Sequence, residues 1–166
     1  WAYEHFNIKP DILAFGKKTQ VCGIMVGSRV DEVKDNVFSV SSRLNSTWGG
    51  NLVDMVRSQK YLEIIKEDKL IENAAHQGKR LKQGLEELEE KYPHLIRNAR
   101  GRGLMCAFDL PTPEIRDEIR EKIYAQNLVV LGSGATTIRF RPPLIIQEKE
   151  IDEMIQIIDH VAKKMQ

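Results

Sequence analysis

The stretch DILAFGKKTQVCG, Asp11–Gly23, decides how the opening of the chain is read. Ile12 to Phe15 is a short run of large apolar residues just after Pro10, and Val21 to Val26 is a second such run, so both read as buried strands. Lys17 and Lys18 then stand side by side at a strand end. Such lysines can simply be solvated, their methylenes lying on the sheet while the charge reaches water. Alternatively, an amine at the end of a buried strand can be desolvated until it loses its proton, and a neutral amine attacks a carbonyl to form a Schiff base. Both readings stay open on this stretch alone.

The bulk properties narrow the partners. The chain has 166 residues, 42% hydrophobic and 30% charged, enough to bury one respectable core. Its 25 basic and 24 acidic side chains leave a net charge of +1 with no long basic block, which argues against nucleic acid or an anionic membrane as partner. No run is apolar for long enough to span a bilayer or act as a secretory signal, so a cytoplasmic protein is expected. Cys22 and Cys106 lie far apart and read as reduced thiols. His5, His76, His94 and His160 are scattered, with surface or boundary positions expected, and no metal site is expected. The chain opens on WAYEHFNIKPD, aromatic residues without an initiator Met, so it reads as part of something longer.

Beyond the two strands come a polar stretch, Ser28 to Asn36, and the loop SVSSRLNSTWGGN. Leu52, Met55, Val56, Leu62 and Ile65 then mark a helix, with Val53 and Ile64 implying burial on more than one side. Ile71, Ala74, Ala75, Gly78, Leu81, Leu85 and Leu88 predict a second, amphipathic helix that stops before Pro93, with Glu86, Glu87, Glu89, Glu90 and Lys91 facing water. Leu104, Cys106 and Phe108 alternate as a strand entered through a glycine-permitted bend at Gly101 and Gly103. A helix carrying Ile115, Ile119 and Ile123 follows Pro113; Leu128 to Leu131 and Thr137 to Phe140 read as strands around a turn at Gly132 to Ala135. A last helix, Glu148 to Met165, lays Ile151, Met154, Ile158 and Val161 on the sheet. The fold class is therefore α/β. Residues 1–51 read as an incomplete piece of a larger sheet domain, and 52–166 as a linking helix with a small domain of its own.

Three other stretches could carry chemistry. RLNSTWGGN sets Ser46, Thr47, Gly49 and Gly50 before a helix, where hydroxyls and backbone N–H groups can hold a phosphate, although a plain N-cap has the same look. Trp48 could pack on a ligand or plug the core; packing is the simpler expectation. TIRFRPPL puts Arg139 and Arg141 at alternate positions of one strand, on the same face, to clamp a carboxylate or to cover a sheet edge. Asp109 reads as a strand-end residue supporting the Pro-rich turn.

Taken in order, IKPDILAFGKK, LNSTWGGN, RGRGLMCAFDL and IRFRPPL resemble the successive motifs of the class III, fold-type I aminotransferases, and the likeness runs essentially end to end. The resemblance implies the end of the large-domain sheet, a long interdomain helix and the small C-terminal domain of such an enzyme, with pyridoxal 5'-phosphate as cofactor. It implies that Lys17, six residues after Asp11, holds the cofactor as a Schiff base and serves as general base, with Lys18 as the alternative register. It further implies that Thr47 binds the cofactor phosphate from the neighbouring subunit of a homodimer, and that Arg139 takes a substrate carboxylate. The wording is most similar to members that move the terminal amino group of L-lysine to 2-oxoglutarate, giving 2-aminoadipate 6-semialdehyde and glutamate; 4-aminobutyrate and ornithine are the alternative donors. The family's partner for the pyridine nitrogen lies in a segment not found in these residues, so the chain alone is expected to be inactive. Outside the family, the remaining reading is a non-enzymatic α/β interaction module that offers the apolar run Ile12 to Phe15 to a partner.

Overall fold

A computed structural model describes residues 1–44 and 46–165, with Lys18 described in its backbone only. The chain forms two compact units, Trp1–Glu67 and Asp68–Gln166. By its contacts the helix beginning at Leu52 belongs with the first unit, whereas the sequence reading groups it with the second part.

In the first unit, strands β1 (Ile12–Phe15) and β2 (Gly23–Val26) pair antiparallel, Ile12 opposite Val26 and Phe15 opposite Gly23. Gly23 leaves room there for the Phe15 ring, which a Cβ would approach to 2.5 Å. β2 starts later than the apolar run suggests: the Thr19 hydroxyl donates to the Val21 carbonyl, and Gln20 is left-handed at φ 62°, so Val21 and Cys22 belong to the turn. The strands are also not buried within this unit. Ile12 is 66% exposed, and Ile24 and Met25 are exposed as well, because a hairpin has no second layer wide enough to cover it.

Helix α1 (Leu52–Glu67) follows a short helical turn at Ser28–Glu32 and a loop. Its cap is Asn51, whose side-chain oxygen accepts from the Val53 N–H at 2.9 Å while its carbonyl accepts from Met55 N–H. The plain N-cap that this Ser/Thr/Asn loop allows is thus supplied by Asn51. No residue of α1 is buried, so the apolar positions that imply cover on more than one side, Val53 and Ile64, are exposed instead.

The second unit has a complete core. A four-stranded antiparallel sheet runs in the order β3 (Arg97–Arg102), β4 (Met105–Asp109), β6 (Thr137–Phe140), β5 (Leu131–Ser133). Cys106 and Phe108 of β4 and Ile138 and Phe140 of β6 alternate onto one face and are fully buried. Helices α2 (Leu70–Lys91), α3 (Pro113–Tyr124) and α4 (Glu148–Lys163) cover that face with Leu81, Leu85, Ile119, Ile123, Ile151 and Ile158. The Thr112 hydroxyl caps α3, with Pro113 as its first residue.

The structure corrects the sequence reading at four places here. What reads as a bend is a full strand, β3, joined to β4 through Gly103 at φ 52°. The strand expected at Leu128 to Leu131 begins only at Leu131, since Asn127 is left-handed and Leu128 N–H still bonds back to Ile123; Gly132 is thus in the strand and the turn centres on Gly134. Arg141 lies past the end of β6, ahead of Pro142, and does not share a strand face with Arg139. Glu89 does not face water freely. Its carboxylate accepts the N–H groups of Asn98 and Ala99 at 2.7 and 2.9 Å, where β3 bulges.

Candidate active site

Lys17 opens the helical turn Lys17–Thr19 that joins β1 to β2. Its φ is 59°, a left-handed backbone that costs a non-glycine residue roughly 1 kcal/mol or more. Several contacts hold it there. The Lys17 carbonyl accepts the Gln20 N–H at 2.9 Å and the Gln20 side-chain amide at 3.3 Å. Gly16 sits against Cys22, whose sulfur would be 2.8 Å from any Cβ at that position. The side chain of Lys17 is exposed, so the desolvation that the sequence reading allowed for it is not supplied by the first unit. The Lys18 side chain lies outside the described residues.

Beside this turn is an open cleft of about 820 Å³. One wall is Gln20–Gly23, immediately after the lysines; another is Ser46 with Trp48–Asn51, the loop containing Thr47; Met55 and Leu62 of α1 complete it. Trp48 is 77% exposed and faces this cleft, which overturns the expectation that it packs into a core. Thr47 is exposed in the turn that Gly49 closes by donating to the Ser46 carbonyl. The first unit thus brings the segments on either side of Lys17 and Thr47 to one cleft, although neither residue itself lines it. Glu63, also on the cleft, has its carboxyl held below the usual range by hydrogen bonds from Gln59 and Lys60.

Arg139 belongs to the second unit. It lies on the open face of the sheet, opposite Ala107 on β4 and Leu131 on β5. Its Nε is shielded from water and has no hydrogen-bond partner among the described residues. Asp109, on the same face, is already committed: it accepts from Thr137 at 2.5 Å, Asn98 at 2.7 Å and Arg100 at 3.0 Å. Burial pushes the Asp109 carboxyl up, but those donors outweigh it and hold the group below its ordinary value. Arg139 and Arg141 both border a cleft of about 580 Å³ walled by Val129–Leu131 and by Met154 and Ile157 of α4. The Arg139 guanidinium borders this cleft, and the planar N–H donors of a guanidinium match a carboxylate. Among the described residues there is no cluster of three or more His, Cys, Asp or Glu that could hold a metal, and no helix is long and apolar enough to cross a membrane.

The chain is α/β, with Lys17 in a strand-end turn and Thr47 in a glycine-containing loop of the first unit, and Arg139 on the small antiparallel sheet of the second. The chain belongs to the family Aminotransferase class-III, which matches residues 1–162. Members of that class depend in general on pyridoxal phosphate. Among its relatives, the L-lysine-epsilon aminotransferase of Mycobacterium tuberculosis is 54% identical over 95% of this chain and 35% of its own length. A 4-aminobutyrate aminotransferase of Dictyostelium discoideum is 35% identical over 99% of the chain and 32% of its own length. Among solved structures, lysine aminotransferase from M. tuberculosis superposes with a TM-score of 0.95 at 52% identity, over 100% of this chain and 38% of that one. The chain therefore spans about a third of the length of the curated relatives it matches.

Proposed function

We propose that the full-length protein transfers the terminal amino group of L-lysine to 2-oxoglutarate, giving 2-aminoadipate 6-semialdehyde and glutamate, as a cytoplasmic homodimer that uses pyridoxal 5'-phosphate. The observation that carries the choice of donor is the identity of 50 to 54% with L-lysine-epsilon aminotransferases, against 35% with a 4-aminobutyrate enzyme over a similar span. 4-Aminobutyrate and ornithine are the alternative donors. The domain reading that goes with this proposal keeps residues 1–51 as the end of the cofactor-binding domain and 52–166 as the linking helix and small domain.

The side chains fit the cofactor. Lys17 offers an exposed primary amine for an aldehyde, Thr47 an exposed hydroxyl for a phosphate, and Arg139 a guanidinium at the edge of a cleft for a carboxylate. Pyridoxal phosphate, when bound, supplies an electrophilic carbon and an electron sink. Lys17 would hold it through Nζ and, once displaced by the substrate amine, carry the proton to and from the reacting carbon as general base. Thr47 would hold the phosphate from the neighbouring subunit, and Arg139 would orient 2-oxoglutarate or glutamate through paired N–H donors. Residues 1–166 by themselves would be inactive, because nothing in them is proposed to keep the cofactor's ring nitrogen protonated.

The test is glutamate formation from 2-oxoglutarate by the full-length protein with lysine, ornithine or 4-aminobutyrate as donor. The proposal requires the highest kcat/KM for lysine; a preference for either other donor overturns it. Arg139→Ala should raise the KM for 2-oxoglutarate by at least tenfold, the loss of about 1.4 kcal/mol expected from a charge-assisted pair.

A further inference from the structure

Thr19 is the one described residue of the first unit that is both polar and buried, at 9% exposure, and the proposed function gives it no task. Its hydroxyl donates 2.7 Å to the Val21 carbonyl and so closes the turn that begins at Lys17. Each end of that turn is fastened. Gln20 bonds back to the Lys17 carbonyl by backbone and side chain, the Gln20 carbonyl takes a 3.4 Å hydrogen bond from Arg57 of α1, and Gly16 packs on Cys22. The left-handed φ of Lys17 is unfavourable by itself, so it persists only while these contacts hold it. The chain carries two lysines in succession, and the left-handed backbone of Lys17 fixes the direction in which that residue leaves the turn. The backbone of this turn therefore decides which amine is presented.

We infer that Thr19 is a positioning residue: its buried hydroxyl locks the Lys17–Val21 turn and thereby selects Lys17 over Lys18 as the amine that takes the cofactor. This rests on the reading of Lys17 given above. Removing the hydroxyl leaves the Val21 carbonyl without its donor and frees the turn, whereas restoring any hydroxyl at the position restores the lock.

The experiment uses the full-length protein loaded with pyridoxal phosphate, reduced with borohydride and mapped by peptide mass, in wild type, Thr19→Val and Thr19→Ser. Thermal midpoints and the pH dependence of the cofactor's absorption band are measured alongside. The expected result is a pyridoxyl group on Lys17 alone in the wild type. In Thr19→Val the trapping rate at Lys17 falls by about tenfold, the equivalent of one part-buried hydrogen bond of about 1.4 kcal/mol. Part of the label then moves to Lys18, the midpoint of the absorption titration shifts, and Thr19→Ser returns all of these to the wild-type values. Wild-type trapping and titration in Thr19→Val overturn the inference while leaving Lys17 as the reactive lysine. Absence of the label from Lys17 in the wild type overturns the underlying reading instead. Should Thr19→Val not fold, Thr19→Ala, which removes the hydroxyl without adding bulk, is compared with Thr19→Ser on the same criteria.

Discussion

Replacing Gly78 with alanine sets two known effects against each other. Gly78 is buried in the middle of α2, where alanine is favoured over glycine by roughly 1 kcal/mol for conformational reasons. Against this, α2 crosses the β3–β4 turn so closely that a Cβ on Gly78 would stand 2.2 Å from the carbonyl carbon and oxygen of Gly103 and 2.6 Å from its Cα. Carbon atoms in ordinary contact are about 3.5 Å apart or more, so helix and turn would have to separate by over an ångström. The obstacle is backbone, held at a positive φ of 52°, and it cannot rotate away. Overpacking costs about 3 kcal/mol at the upper end of its usual range, which leaves a net loss of about 2 kcal/mol after the helical gain. For a unit of this size that lowers the melting temperature by about 10 °C. Gly84→Ala is the control. Its added Cβ would meet only the Ile155 side chain, at 2.7 Å from Cγ1 and 2.8 Å from Cδ1, so a side-chain shift relieves it without parting two backbones. The two effects then nearly cancel, within about 1 kcal/mol. Urea unfolding followed by circular dichroism measures both variants. A Gly78→Ala protein as stable as the wild type, or less impaired than Gly84→Ala, would refute the steric reasoning.

Tyr92→Phe should cost about 1 kcal/mol in the same assay, because the buried phenol donates 2.9 Å to Asp159. The Asp159 carboxyl is held below its usual range chiefly by a hydrogen bond from Lys91, with burial opposing and Tyr92 assisting. A depressed folded value means its contribution is fully present above about pH 4 and is lost as the pH falls through the folded value, so the deficit of Asp159→Asn should shrink in acid. Cys22 is exposed whereas burial pushes Cys106 up to about 11, so a disulfide reagent at pH 8 should titrate one thiol in the folded chain and the second only on unfolding. Lys17→Ala should abolish transfer by the full-length protein, by on the order of a thousandfold or more, and shift stability by less than about 0.5 kcal/mol, since the side chain is exposed.

Much of the second unit is written in its periodicity. Leu81, Leu85 and Leu88 of α2 and Ile151, Ile158 and Val161 of α4 recur at helical spacing and are buried as that spacing requires. β3 escapes such a reading because RNARGR has no apolar alternation; it is a strand by virtue of its pairing with β4 and of the Glu89 carboxylate that satisfies its bulge. The exposure of α1 and β1 is illegible for the opposite reason, as apolar residues state that a face wants covering and not whether this unit covers it. Trp48 and Asn51 show the same limit at the cleft. Their types suggest a core plug and a loop residue, and only the path of the backbone makes one an exposed wall and the other a helix cap. Lys17 and Arg139 are proposed as site residues through the order of motifs, because a lysine pair and an alternating arginine pair are each ambiguous alone. Thr19 has no sequence signal at all; its burial and its bond to Val21 appear only in three dimensions.

The most direct trial of the account is to saturate the full-length protein with pyridoxal phosphate, fix the linkage with borohydride and read the modified residue by mass. A single pyridoxyl group on the ε-nitrogen of Lys17 is the outcome the account requires. An unmodified Lys17, with the label elsewhere or nowhere, contradicts it.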